Sequence, residues 1–141
     1  MSNKGRSEVV AHTAEVGLRI YGASLRELFR GAAGGLLKLY KKKGSVSPRR
    51  RVHISLKAGA VDELLVLWLN ELIFLVASRR RLYSKIIFRE LTPAALDAEV
   101  WTEAISPRRH SLSGEIKAAT YHRISVARRG NRWRALVFFD V

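Results

Sequence analysis

The dipeptide Gly130-Asn131 constrains this chain more than any other feature. A glycine-first, two-residue turn between alternating apolar runs makes an antiparallel hairpin and fixes its register. If Arg129 pairs with Arg132, then Ile124 faces Val137, His122 faces Phe139, Thr120 faces Val141 and Tyr121 faces Asp140. Ile116, Ala118, Ile124 and Val126 then share the core face with Trp133, Ala135, Val137 and Phe139, while Lys117, Tyr121, Arg123 and Asp140 share the other.

Upstream, Val16, Leu18 and Ile20 alternate with Glu15, Gly17 and Arg19, the period of a half-buried strand with Glu15 off the core face. Ser24 and Glu27 form a capping box ahead of Leu25, Leu28, Phe29, Ala32, Leu36 and Leu37, which predicts a helix over 24–40. Gly34 and Gly35 each cost that helix about 1 kcal/mol relative to alanine and point to close packing against a sheet. Residues 41–51 read as an exposed loop, and Val52, Ile54 and Leu56 alternate as a second strand. A second, core helix is predicted over 61–78, its macrodipole complemented by Asp62 and Glu63 at one end and Arg79 to Arg81 beyond the other. Strands follow near 85–91 and 96–102, joined across Thr92 and Pro93. This order predicts an α+β fold, two helices packed on a largely antiparallel sheet, in a single domain of residues 1–141.

The 26 Lys and Arg against 12 Asp and Glu give a net charge of +14, a field that attracts polyanions of any kind. The clusters Lys41 to Lys43, Arg49 to Arg51, Arg79 to Arg81, Arg108-Arg109 and Arg128-Arg129 can each hold phosphates or simply face solvent. Aromatic residues are not interleaved with them along the sequence, as a reader of single strands requires. The absence of cysteine removes disulfides, thiolate zinc sites and cysteine nucleophiles, and fits an intracellular protein. The polar start Met-Ser-Asn-Lys-Gly-Arg is no secretory signal. The apolar run from Leu64 to Ala77, interrupted by Asn70 and Glu71, falls short of the ~20 residues that span a bilayer. A cytoplasmic chain that does not enter a membrane is expected. No Walker loop, dinucleotide fingerprint, HExxH or GxSxG occurs, which weakens the enzyme class.

The hairpin register brings Asp140 and the Val141 carboxylate beside Thr120 and Tyr121, with Lys117 roughly 10 Å away on the face of Asp140. Clustered oxygens suit a hard cation such as Ca²⁺ or Mg²⁺, although the residues alone favour Asp140 as the ordinary solvated end of a strand. Glu15, next to His12 and Thr13, either joins that site or is a surface charge. His12 and His122 are candidates for acid–base work by residue type, His122 being also a core histidine opposite Phe139.

Four segments, taken in order, resemble the archease family: His12-Thr13-Ala14-Glu15-Val16-Gly17, Trp68-Leu69-Asn70-Glu71-Leu72, Gly114-Glu115-Ile116-Lys117-Ala118-Ala119-Thr120-Tyr121-His122 and Phe139-Asp140-Val141. The resemblance spans nearly the whole chain. It implies an α+β accessory protein, not an enzyme, that works with the GTP-dependent RtcB-type RNA ligase of tRNA splicing, promotes formation of the guanylylated ligase and sustains multiple turnover. It also implies a divalent metal, calcium in the family, at the positions of Glu15, Asp140 and Val141, and an activating lysine at Lys117. His12, Thr120 and His122 stand beside these as supporting candidates. The ligase is then the direct partner, and tRNA or other RNA is met through the ligase complex. The first motif departs from the family pattern, with Glu15 where aspartate is usual, which moves the carboxylate by about 1.5 Å. A stand-alone basic RNA-binding or chaperone-like module in tRNA processing or modification is the alternative, and a metal-dependent hydrolase using the same carboxylates ranks below it.

Overall fold

Apolar alternation and its interruptions place eight elements along residues 15–141, the part of the chain that the computed structural model describes. They are β1 (Glu15–Gly22), α1 (Leu25–Leu39), β2 (Arg50–Lys57), α2 (Val61–Ala77), β3 (Arg81–Thr92), β4 (Ala95–Ala104), β5 (Ala118–Arg129) and β6 (Arg132–Asp140). The order and type of the elements are those predicted, and the class is α+β. The strands divide into two three-stranded sheets, β1-β6-β5 and β2-β4-β3, in which every neighbouring pair is antiparallel.

Helix α1 begins as its sequence prescribes. Ser24 Oγ accepts from the Glu27 N–H at 3.1 Å, while Glu27 Oε1 reaches back to the Ala23 N–H, one residue before the usual partner of a capping box. Of its two glycines, Gly35 is the one in close contact: a Cβ there would come within 2.7 Å of the Leu18 side chain on β1. At Gly34, where tight packing was also expected, the space is open.

Helix α2 is apolar on nearly all sides, because it touches β2, β3, β5 and α1 and so serves both sheets. Its polar atoms are used sparingly. Trp68 Nε1 donates to the Phe29 carbonyl at 3.0 Å, and from β3 the Tyr83 hydroxyl donates to the Ala33 carbonyl at 2.6 Å, so two buried rings pin one stripe of α1. No helix among the described residues is long and apolar enough to cross a membrane.

Near its turn the β5–β6 hairpin keeps the predicted register, from Arg129 opposite Arg132 to Ser125 opposite Leu136. Beyond that point the prediction fails. Thr120 pairs with Phe138, Ala119 with Phe139 and Ala118 with Asp140, so the four residues Tyr121 to Ile124 stand opposite Val137 alone. A slip of three residues exchanges the faces of β5. Ala119, not Ala118, is therefore buried, and His122, expected opposite Phe139, is exposed on the bulge. Arg123 makes the bend with a left-handed backbone, φ 56°.

A second polar knot ties the irregular segment after β4 to the loop before β2. Glu103 accepts from the Ser47 N–H at 2.9 Å, from Arg49 Nε at 3.4 Å and from Arg109. His110, whose side chain is fully buried, accepts the Ser106 N–H on Nδ1 and so donates from Nε2 to the Ser45 carbonyl at 2.9 Å. The Ser47 N–H foremost, with the Arg109 and Arg49 guanidiniums, outweighs burial and holds the Glu103 carboxyl at about 2, below its ordinary 4.5. A depressed carboxylate contributes stability that is fully present above pH 4.5 and is lost as pH falls toward 2. Urea melts are expected to show the midpoint dropping across this window, with a shallower drop for Glu103→Gln; equal slopes would remove Glu103 as the cause.

Candidate functional site at the end of the β1-β6-β5 sheet

Strand pairing gathers the site. Glu15 on β1 and Ala118 on β5 both stand opposite Asp140 on β6, making one row across three strands on the face turned away from the helices. Directly opposed side chains have Cβ atoms about 5 Å apart, and the small Ala118 leaves the two carboxylates room. The bulge also moves Lys117, whose N–H donates to the Asp140 carbonyl at 2.8 Å, so it adjoins Asp140 instead of standing three residues off. Val141 follows, half-buried against the core.

The two carboxylates differ in their surroundings. Among the described residues Asp140 has no side-chain partner, whereas Glu15 Oε1 accepts from Arg123 Nη2 at 3.0 Å. Arg123 reaches it from the bulge by lying over the Phe138 ring, 4.2 Å from its centre. Phe138 in turn covers Gly17, where a Cβ would come within 3.0 Å of the ring. Thr120 Oγ1 accepts the His122 N–H at 3.2 Å and steadies the start of the bulge. His12 lies outside the described residues.

Lys117 also borders an open cleft of about 580 Å³, together with Tyr40, Arg80, His110 and Glu115. The segment before Lys117 is held to the end of α1 by the Ser113 and Gly114 N–H groups, both donating to the Tyr40 carbonyl at 3.1 Å. Gly114 is required there, since a Cβ would fall 2.4 Å from the Leu39 carbonyl oxygen. The Tyr40 hydroxyl is buried without a hydrogen-bond partner among the described residues; burial first, then the Glu115 carboxylate, push it up to about 12. Beyond Lys117, Asn70 on α2 exchanges both amide hydrogen bonds with the main chain of Ala119, at 2.9 and 3.2 Å, and so fixes where β5 begins.

The donors that converge are oxygens alone, which suit a hard cation rather than a soft one. Glu15 and Asp140 fit such an ion provided that Arg123 yields its oxygen of Glu15. Among the described residues no group of three or more His, Cys, Asp and Glu side chains forms a metal cage, so what they offer beyond Glu15 and Asp140 is main-chain and carboxyl oxygens. The sequence reading gave Arg123, Gly17 and Asn70 no role in this site, although it set Arg123 on the face of Asp140, and Gly17 and Asn70 lie in the segments that carry the resemblance.

A profile of the archease protein family matches residues 8–141. Among curated relatives, the protein archease of Methanopyrus kandleri is 31% identical, with 95% of this chain and 98% of that protein covered. That of Sulfurisphaera tokodaii is 27% identical, with 95% and 97% covered. Two solved structures have the same fold. A Thermotoga maritima archease, described as a possible chaperone, superposes with a TM-score of 0.63 at 20% identity over 92% of this chain and 93% of that one. Protein 1598 of Methanobacterium thermoautotrophicum superposes with a TM-score of 0.64 at 26% identity over 92% and 94%.

Proposed function

Because the chain belongs to the archease family, we propose that it acts as a non-catalytic accessory protein, activating an RtcB-type GTP-dependent RNA ligase in tRNA splicing. The observation that carries this reading is the meeting at one exposed sheet end of Glu15 on β1, Asp140 on β6 and Lys117, which directly precedes β5 and donates its main-chain N–H to the Asp140 carbonyl. Such a sheet end combines two exposed carboxylates with a neighbouring exposed lysine, a charge pattern that a partner's active site can read.

In this reading Glu15, Asp140 and the Val141 oxygens hold a divalent cation, with Ca²⁺ the expected ion because its coordination tolerates the longer glutamate. The bound ion would neutralise the paired carboxylates and supply a fixed positive charge at the sheet end. Lys117, fixed by its main-chain bond to Asp140 and by Asn70 two residues on, presents its ammonium toward phosphates of the ligase's nucleotide. Arg123 guards Glu15 until the cation takes its place. His12, Thr120 and His122 are kept as supporting residues, Thr120 through the bulge that it steadies.

The test is RNA ligation with GTP at limiting ligase, alongside guanylylation of the ligase by labelled GTP without RNA. Wild-type protein is expected to give many turnovers and fast guanylylation; Lys117→Ala and Asp140→Ala, checked for folding by circular dichroism, are expected to fall to the level of ligase alone. No stimulation by wild type, or full stimulation by both variants, would send the function to the stand-alone RNA-binding or chaperone-like alternative.

A further inference from the structure

The face that carries Glu15 and Asp140 changes character along its length. Six residues along β1 from Glu15, Tyr21 stands opposite Arg134, and Arg134 opposite Ala127. The preceding row on this face is Arg19, Leu136 and Ser125, and at the hairpin end Arg132 stands opposite Arg129. Alternation turns all of these outward, and Tyr21 is 68% exposed, the most exposed large apolar side chain among the described residues. Arg19, Arg129, Arg132 and Arg134 are exposed as well, and none has an acidic partner among the described residues.

This arrangement is costly for the free protein. Arg129 and Arg132 face each other directly, where like charges repel, and a large ring is left in water. Five arginines elsewhere are paired with acids, Arg49 and Arg109 with Glu103, Arg51 and Arg89 with Glu99, Arg123 with Glu15, while others such as Arg50 and Arg79 have no acidic partner among the described residues. What sets this face apart is the opposed arginine pair together with the exposed ring. Around Tyr21 the surface is also concave. Three shallow grooves, of about 400, 440 and 260 Å³, each have Tyr21 in their walls.

We infer that this face is a platform for single-stranded nucleic acid, with a base stacked on Tyr21 and phosphates held by Arg19, Arg129, Arg132 and Arg134. An open sheet with an exposed ring between guanidinium groups suits a splayed strand, because stacking needs an uncovered base face and the arginines track the backbone. A duplex hides its base faces, and an acidic peptide would satisfy the arginines while leaving the ring and its grooves unused. The aromatic interleaving that is missing along the sequence is supplied across the strands. A strand seated on Tyr21 and following β1 would reach the Glu15–Asp140 end after roughly 20 Å.

The experiment is fluorescence anisotropy on the purified chain, without ligase, using 5′-labelled single-stranded RNA and DNA oligonucleotides and the matching duplexes over a range of salt. The expected result is tighter binding of single strands than of duplex, with the RNA and DNA arms identifying which source the face prefers. Tyr21→Ala should weaken binding by about tenfold or more, and Tyr21→Phe should restore it. The pair Arg19→Ser and Arg134→Ser should lower the salt slope by about 1.4, two phosphate contacts at ~0.7 each. Arg50→Ser with Arg79→Ser, at exposed positions outside this sheet, should leave affinity nearly unchanged. Absence of single-strand binding, equal affinity of Tyr21→Ala and wild type with both folded, or loss confined to the Arg50 and Arg79 variant would each overturn the platform. Guanylylation of the ligase is read without RNA, so the accessory role stands or falls separately.

Discussion

Trp68→Ala is expected to destabilise the protein by about 3–5 kcal/mol, the range for removing a fully buried tryptophan from a packed core. A small domain has only ~5–15 kcal/mol in hand, so the variant should unfold at much lower urea and partly at physiological temperature. The effect has two parts. The ring fills the space between the helices and the β2-β4-β3 sheet, with its centre 5.5 Å from that of Phe88. Its Nε1 also holds the Phe29 carbonyl on α1. Trp68→Phe keeps much of the volume and loses the hydrogen bond, worth about 1 kcal/mol, so it should fall between wild type and alanine. Urea denaturation followed by far-ultraviolet circular dichroism reads all three. An alanine variant within about 1 kcal/mol of wild type would mean that the Trp68 ring does not fill a tightly packed core.

Gly44→Ala is expected to cost at least about 2 kcal/mol, for reasons that lie wholly in the backbone. The residue has φ 95°, and an added Cβ would fall 1.9 Å from the carbonyl oxygen of Arg109. A main-chain atom cannot rotate aside, so the 41–49 loop must part from the segment after β4. That separation breaks the paired bonds between Lys43 and Ser111, at 2.9 and 3.1 Å, and disturbs the Glu103 and His110 contacts nearby. Gly130→Ala is the control, because Gly130 also has positive φ, 62°, but faces open space; it should cost only the conformational penalty of about 1–2 kcal/mol. Hydrogen exchange should quicken across residues 105–111 in the Gly44 variant alone. Equal melting temperatures for the two variants would contradict the steric account.

Much of the fold is legible in the residues because local rules agree there. The Gly130-Asn131 turn sets the hairpin, Ser24 starts α1, and the acids and arginines at the two ends of α2 mark its extent. What is not legible depends on partners distant in the chain. Nothing between Tyr121 and Ile124 announces a bulge, since an arginine in the left-handed region has no compositional sign. With the bulge unseen, the faces of Ala118, Ala119 and His122 were exchanged and Lys117 was set too far from Asp140. The division into two sheets depends on pairing choices that alternation alone leaves open. Glu103 gave no signal either, because the arginines and main-chain groups that surround it come from residues 45–49 and 106–110. The carboxylate site was half legible. Asp140 was recognisable as a strand end, but its place opposite Glu15 follows from β1 pairing with β6, which only the folded chain supplies.

Asn70 has a consequence for solubility. β5 is the outermost strand of its sheet, and the main chain of such a strand is a template onto which a foreign strand can add. At Ala119 both main-chain groups are already taken by the Asn70 amide, which imitates one residue of a neighbouring strand. Just beyond, the bulge twists the edge out of line, so a helix side chain and an irregularity together blunt the margin that leads to Lys117. Asn70→Leu, though well suited to an apolar helix, would therefore leave the sheet with an open margin and is expected to assemble into aggregates through this strand, read as growth in particle size by light scattering.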